Sequence, residues 1–205
     1  MRALQLIEDR KLETVDLPPP PPPGIGEVTV SIKAVALNHI DVWGWRGMAF
    51  AKRKMPLVIG AEASGVVDAI GHGVAGLVPG QLVSIYGART CGLCRPCREG
   101  RDNLCEHVGG VHGFHLDGFA QEQVNLPARL LVPAPPGVTA IGAAVAPVTF
   151  GTVSAPITSS TTAKTASRAW CARSQRNAAS MWCLSMSGPT PGPVRCCRSS
   201  VADAW

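Results

Sequence analysis

Four cysteines, Cys91, Cys94, Cys97 and Cys105, fall in one short stretch with the spacing C-x2-C-x2-C-x7-C, on a run broken by Gly92, Pro96 and Gly100. Four thiolates this close together have the number and the softness for a closed tetrahedral zinc site. A metal with four protein ligands keeps no open position for water or substrate. The expected role is therefore structural: the ion folds the loop that carries it and does no Lewis-acid chemistry. Pairing into two disulfides is the rival arrangement. It is disfavoured by spacing too tight for good bridge geometry and by an N-terminus that does not read as a signal peptide.

Short strands separated by Gly/Pro turns must position this lobe. Met1 to Ile7 alternates loosely and reads as an opening strand, and Pro18 to Pro23 reads as an extended surface connection. Glu27 to Leu37 places Val28, Val30, Ile32 and Ala34 on one face, the period-2 pattern of a half-buried strand. Ile59 to Ile70 is a further strand, with Gly60 and Gly65 where a bulge or a close backbone approach is expected. Val78 to Tyr86, Phe119 to Asn125 and Leu130 to Val132 supply the rest. The expected fold class is mainly β, a small and partly open β-barrel.

Composition divides the 205 residues. Up to about Phe150 the chain is ordinary globular sequence, whereas from Val153 onward its only Val, Ile, Leu or Phe residues are Val153, Ile157, Leu184, Val194 and Val201. So few large aliphatic groups cannot offset the entropy of ordering, and 153–205 is expected to be disordered. Lys164, Arg168, Arg173, Arg176, Arg195 and Arg198 face Asp203 alone there, which accounts for the whole net charge of +5. The neutral body offers no basic stripe for nucleic acid. No apolar run approaches a membrane span, and the expected setting is the reducing cytoplasm.

These pieces resemble the medium-chain dehydrogenase/reductase superfamily, the zinc-containing alcohol dehydrogenases and quinone oxidoreductases, whose catalytic domain is a GroES-like β-barrel. The resemblance covers 1–152. It rests on the Gly-Glu-Val strand opening at Gly26, the Asn-His-Ile-Asp turn at Asn38, Gly71-x-Gly73-Val74 followed by Pro79-Gly80, and the cysteine lobe at 91–105, which matches that family's structural zinc site in all four ligands. In the zinc-dependent alcohol dehydrogenases a catalytic Cys begins the turn and Gly-His-Glu supplies the next ligand. Asn38 and Ala61 stand at those positions here, and no Cys lies between Cys105 and Cys171. The resemblance therefore implies one structural zinc and no catalytic zinc, as in the quinone- and enone-reducing branches. There NAD(P)H gives hydride directly to its acceptor. Asn38, His39, Asp41 and Glu62 would line the substrate side of the cleft, although each also has a reading as a turn, packing or paired residue. Trp43 and Trp45 read as packing, and Lys52, Arg53 and Lys54 as a solvated loop.

A complete member of that family continues into a Rossmann domain with a glycine-rich turn, which 153–205 does not contain. Gly24-Ile25-Gly26 and Gly71-His72-Gly73 lie within the barrel sequence and lack the strand-turn-helix context of a cofactor fingerprint. No cofactor-binding residue is therefore expected. In a shifted reading frame Trp170-Cys171 must conceal Val and Met181-Trp182-Cys183 must conceal Val-Val, and Ala178 to Cys197 can then read through a GVDVV strand. This points to a non-native tail. The sequence reads as the catalytic-domain fragment of an NAD(P)H-dependent oxidoreductase acting on a quinone or conjugated carbonyl, with alcohol oxidation second, homo-oligomerisation open, and no activity as written. A zinc-stabilised binding module without redox activity is the alternative. A zinc-ribbon nucleic-acid binder fits less well, since its ligands come as two separated CxxC pairs.

Overall fold

The computed structural model describes residues 1–47, 53–150 and 183–185. Two antiparallel sheets carry the fold. The smaller has the order β2-β1-β4, from Lys11–Asp16 (β2), Arg2–Glu8 (β1) and Leu57–Val58 (β4). β1 and β2 form a hairpin that the sequence reading omitted. Its turn at Asp9-Arg10 puts Arg10 at φ 67, and β2 is almost wholly exposed, so it carries no buried stripe to betray it. The larger sheet runs β7-β3-β5-β6-β8, from Gln123–Pro127 (β7), Glu27–Ala36 (β3), Glu62–Ile70 (β5), Leu82–Ile85 (β6) and Leu131–Pro133 (β8). A strand at Cys183–Ser185 (β9) pairs with β3 at Ala34–Ala36, beyond the stretch that β7 covers. The other residues of 153–205, and with them the expectation of disorder there, lie outside the described residues.

β3 departs from simple alternation. Val28, Val30 and Ile32 face the main core as the period requires, but beyond Ile32 it is Val35 that packs there, while Ala34, expected on the same face, is buried with Ala36 against Ala144 and Val145. Its register against β5 shifts between Ile32 and Ala34, opposite Gly65, where an added Cβ would lie 2.5 Å from the Ser31 carbonyl oxygen. That close approach is the reason for glycine in mid-strand. The main core packs Val28, Val30, Ile32, Val67, Ile85 and Phe119 together, and a second core gathers Ala3, Leu6, Val58 and Ile59 under the smaller sheet. Segment 118–120 joins the two: the amides of Gly118, Phe119 and Ala120 donate to the carbonyls of Val58, Gly60 and Ile59, and Leu4 N donates to Ala120 O.

Among the described residues three short α-helices punctuate the strands: His39–Trp45 (α1), Arg95–Arg98 (α2) and Ala140–Ala144 (α3). α3 starts at Thr139, whose hydroxyl accepts from Gly142 N at 3.1 Å. Two strand hydroxyls bind it to the sheet: Ser64 Oγ on β5 donates to Ala140 O at 2.6 Å, and Ser84 Oγ on β6 donates to Ala143 O at 2.8 Å. This anchoring sets the π-helical turn Ala146–Phe150 over the start of β5.

Candidate functional site

The cysteine lobe forms from one loop. Cys94 precedes α2, Cys97 lies within it, and Cys105 follows a single 3₁₀ turn at Asp102–Leu104. The four Sγ atoms lie within 4.8 Å of one another, with Cys91–Cys97 and Cys94–Cys105 each at 4.0 Å. A tetrahedral zinc–thiolate shell needs sulfurs roughly 3.8 Å apart, so the set fits such an ion. The surrounding backbone already treats these sulfurs as acceptors. Leu93 N and Cys94 N donate to Cys91 Sγ at 3.4 and 3.3 Å, and Cys91 N donates to Cys105 Sγ at 3.3 Å. Those amides bring the Cys91 thiol down to about 6, whereas desolvation and neighbouring thiols push Cys97 up. Crowded sulfurs cannot all be thiolates by themselves, and a dication at their centre is what allows it. Among the described residues these four are the one His, Cys, Asp or Glu group with such geometry.

A second cluster forms where α1, the start of β5 and the 146–150 turn meet. Glu62 is fully buried at the head of β5. Its Oε2 accepts from Val148 N at 2.7 Å and Thr149 N at 2.9 Å, and its Oε1 lies 3.1 Å from Thr149 Oγ1. The same hydroxyl lies 2.9 Å from Asn38 Oδ1, and Asn38 Nδ2 is buried with no hydrogen-bond partner. Burial raises the Glu62 carboxyl to about 7, against the opposing pull of the Thr149 and Val148 donors.

The four cleft candidates are placed differently. Asn38 and Glu62 come together through Thr149. Asp41 turns toward the backbone: Asn38 N donates to its Oδ2 at 2.8 Å and Gly60 N to its Oδ1 at 3.1 Å, a strut between α1 and the turn before β5. Burial lifts Asp41 to about 6 despite those amides. His39 is exposed, with its ring 6.1 Å from that of Trp43, centroid to centroid. Trp45 packs against the second core while Trp43 stays partly exposed. Lys52 lies outside the described residues. Arg53, read as solvated, has a buried side chain held by Asp9 Oδ1 at 3.0 Å and by the Phe114 ring 5.5 Å away. Sequence reasoning missed Thr149. Nothing in the Ala-Pro-Val-Thr-Phe run signals that it will meet residues 87 and 111 positions earlier.

Backbone crowding fixes the wall between these groups. Gly60 has φ +96, and a Cβ added to Gly113 would come within 2.6 Å of Gly60 C and 2.8 Å of Ala61 N. Ala61 is buried at the position where the zinc-dependent alcohol dehydrogenases of the resembled superfamily carry a histidine. Among the described residues every pairing between the named strands is antiparallel. No described helix is long and apolar enough to cross a membrane.

A family model for the alcohol dehydrogenase GroES-like domain matches residues 24–136, more than half of the chain. The L-threonine 3-dehydrogenase of Legionella pneumophila (strain Corby) is 36% identical over 129 residues, which are 62% of this chain and 38% of that protein. Among solved structures, an NAD-dependent alcohol dehydrogenase superposes with TM-score 0.66 at 44% identity, covering 73% of this chain and 44% of that one. A thermostable alcohol dehydrogenase from Pyrobaculum aerophilum superposes with TM-score 0.64 at 32% identity, covering 72% and 44%. The chain thus spans less than half the length of these relatives.

Proposed function

We propose, starting from the fact that this chain belongs to the alcohol dehydrogenase GroES-like domain family, that it supplies the substrate-side wall of an NAD(P)H-dependent oxidoreductase cleft that works without a catalytic metal on a quinone or conjugated carbonyl. The observation that carries this reading is the Asn38–Thr149–Glu62 cluster: amide, hydroxyl and carboxyl groups in mutual contact, with Ala61 beside Glu62 in sequence and no thiol or imidazole among those contacts. Such a set can orient a substrate oxygen and exchange a proton with it. The nicotinamide supplies the hydride when bound. In this proposal the cofactor is held by a dinucleotide-binding domain, and the steps assigned to this chain are binding, orientation and proton transfer alone.

Cys91, Cys94, Cys97 and Cys105 hold one zinc in this proposal. It shapes the lobe and takes no part in the chemistry. We further propose 1–152 as the catalytic-type domain, 153–205 as a non-native tail, a cytoplasmic setting that keeps the lobe's thiols reduced, and no turnover by the chain by itself. The test joins a dinucleotide-binding domain after Thr152. The expected product reduces a quinone or an enone with NAD(P)H and keeps its activity in a chelator while the lobe stays loaded. Oxidation of simple alcohols that disappears when a second, labile zinc is stripped from an intact fold would refute the metal-free reading. A saturable NADPH fluorescence change on titration with the unjoined chain would refute a different part of the proposal, that this chain holds no cofactor site of its own.

A further inference from the structure

The proline run Pro18 to Pro23 is held against the body as a regular ridge. Each of Pro18 to Pro22 is followed by another proline, and every X-Pro bond of the run is trans. The ring sets φ to about −65° and the ring that follows excludes a helical ψ, so the run is a polyproline II helix with three residues per turn. Burial follows that period. Leu17, Pro20 and Pro23 are half-buried, whereas Pro18, Pro19, Pro21 and Pro22 are exposed, so one ridge packs on the body and two face solvent. Leu17 packs against the second core.

Hydrogen bonds tie the run at three places. Met1 N donates to Leu17 O at 2.7 Å and Leu17 N to Met1 O at 2.8 Å. Asn125 Nδ2 donates to Pro21 O at 2.7 Å, and its Oδ1 accepts from Thr29 Oγ1 at 2.7 Å. Just past the run, Gly24 N donates to Glu27 Oε2 and Glu27 N to Gly24 O, both at 3.1 Å. Prolines have no N–H, so the run cannot extend a sheet edge. It offers ring faces and carbonyl oxygens instead. Ile25, two residues beyond it, is 84% exposed and adds an apolar side chain at that end.

We propose that Pro18 to Pro22 is a docking ridge for a protein domain whose aromatic-lined groove reads polyproline II helices, of the WW type. Such grooves seat proline rings in P-x-x-P order between aromatic side chains. Pro18 with Pro21 and Pro19 with Pro22 give that order twice on the two exposed ridges, the members of each pair roughly 9 Å apart along the axis. Because the ridge is already ordered, docking forfeits little conformational entropy. Charge selects the groove. The nearest charged residues along the chain are Asp16 and Glu27, and no Arg or Lys lies between Lys11 and Lys33. Arg2, opposite Asp16 in the β1–β2 register, is bound to Glu122 at 2.9 Å. A groove with acidic flanks, which reads proline beside a cation, therefore fits less well than one without them. None of the hydrogen bonds of Asn38, Thr149 and Glu62 reaches this run, and the docking ridge stands independently of the oxidoreductase reading.

The test titrates a nitrogen-labelled WW domain with the full chain and follows the NMR resonances of the WW groove, which are expected to shift saturably. The double variants Pro18→Ala with Pro21→Ala and Pro19→Ala with Pro22→Ala should each weaken binding about tenfold, the loss of a packed anchor, whereas Pro20→Ala, on the ridge that faces the body, should weaken it less than about twofold. An SH3 domain with acidic groove flanks should bind more weakly than the WW domain. Near-ultraviolet circular dichroism of the double variants should match that of the native chain. A changed spectrum would show that these rings pack on the body and would overturn the exposed ridge. A groove that does not shift, equal losses in Pro20→Ala and the double variants, or binding undiminished in either double variant overturns the docking ridge. Tighter binding by the SH3 domain overturns the choice of partner.

Discussion

Replacing Glu62 with Gln should stabilise this fold, increasingly so as the pH rises. Glu62 is fully buried and its carboxyl is raised from an ordinary 4.5 to about 7. Between those values the native state holds a proton that the unfolded chain has released. The stability present below pH 4.5 is therefore lost as the pH rises through 7, at about 1.4 kcal/mol per pH unit. Gln presents the shape and bonding of the neutral acid. Its Oε1 can accept from the Val148 and Thr149 amides, and its Nε2 can donate to Thr149 Oγ1, which leaves that hydrogen for Asn38 Oδ1. The difference in unfolding free energy between Glu62→Gln and the native chain should accordingly grow by about 2.5 kcal/mol from pH 5 to pH 8, in favour of the variant. Urea unfolding of both proteins at the two pH values measures it. Asp41, lifted to about 6, and the thiols of the lobe also titrate in this range, but they do so in both proteins and cancel in the comparison. A difference that stays constant with pH, or one that turns against the variant at pH 8, would show that Glu62 is held as a carboxylate and that the burial argument is wrong.

Elemental analysis should find one zinc per chain, and Cys94→Ser should lose it along with the hydrogen-exchange protection of 91–105, since structural zinc contributes on the order of 10 kcal/mol; two zincs, or none in a folded preparation, would contradict this. Gly113→Ala places a Cβ against the Gly60–Ala61 backbone at φ +76, and should cost about 3 kcal/mol in thermal or urea unfolding, from left-handed strain plus overpacking. Phe119→Ala removes a fully buried ring that stacks on His112 at 4.9 Å, with an expected loss of about 3–5 kcal/mol in the same assay. Asp9→Ala takes from the buried Arg53 guanidinium its ion-pair partner; because Asp9 itself is largely exposed, the expected cost is about 0.5–1 kcal/mol in the same assay, and an unchanged midpoint would contradict a stabilising role for the pair.

The residues that act within one loop could be read directly from the chain. The cysteine lobe is local: its four ligands span 15 residues, their spacing dictates the coordination number, and a helix of four residues with one 3₁₀ turn suffices to bring the sulfurs together. Val28, Val30 and Ile32 on the apolar face of β3 and the glycine at position 65 were legible for the same reason, since alternation and the absence of a Cβ are properties of the strand itself. β2 and the exchange of Val35 for Ala34 in the main core were not, because they depend on a register shift against β5 and on what other strands and α3 lay against them. The Glu62 cluster is the clearest division. The chain shows a glutamate in a strand and an asparagine in a turn, each a cleft candidate by resemblance and each with a turn or paired-residue reading beside it. Only folding takes Glu62 out of water and sets Thr149 between it and Asn38. Spacing along a chain can specify a ligand set. Desolvation, and the number of donors left to each acceptor, belong to the packed molecule, because they are decided by atoms that the sequence places far apart.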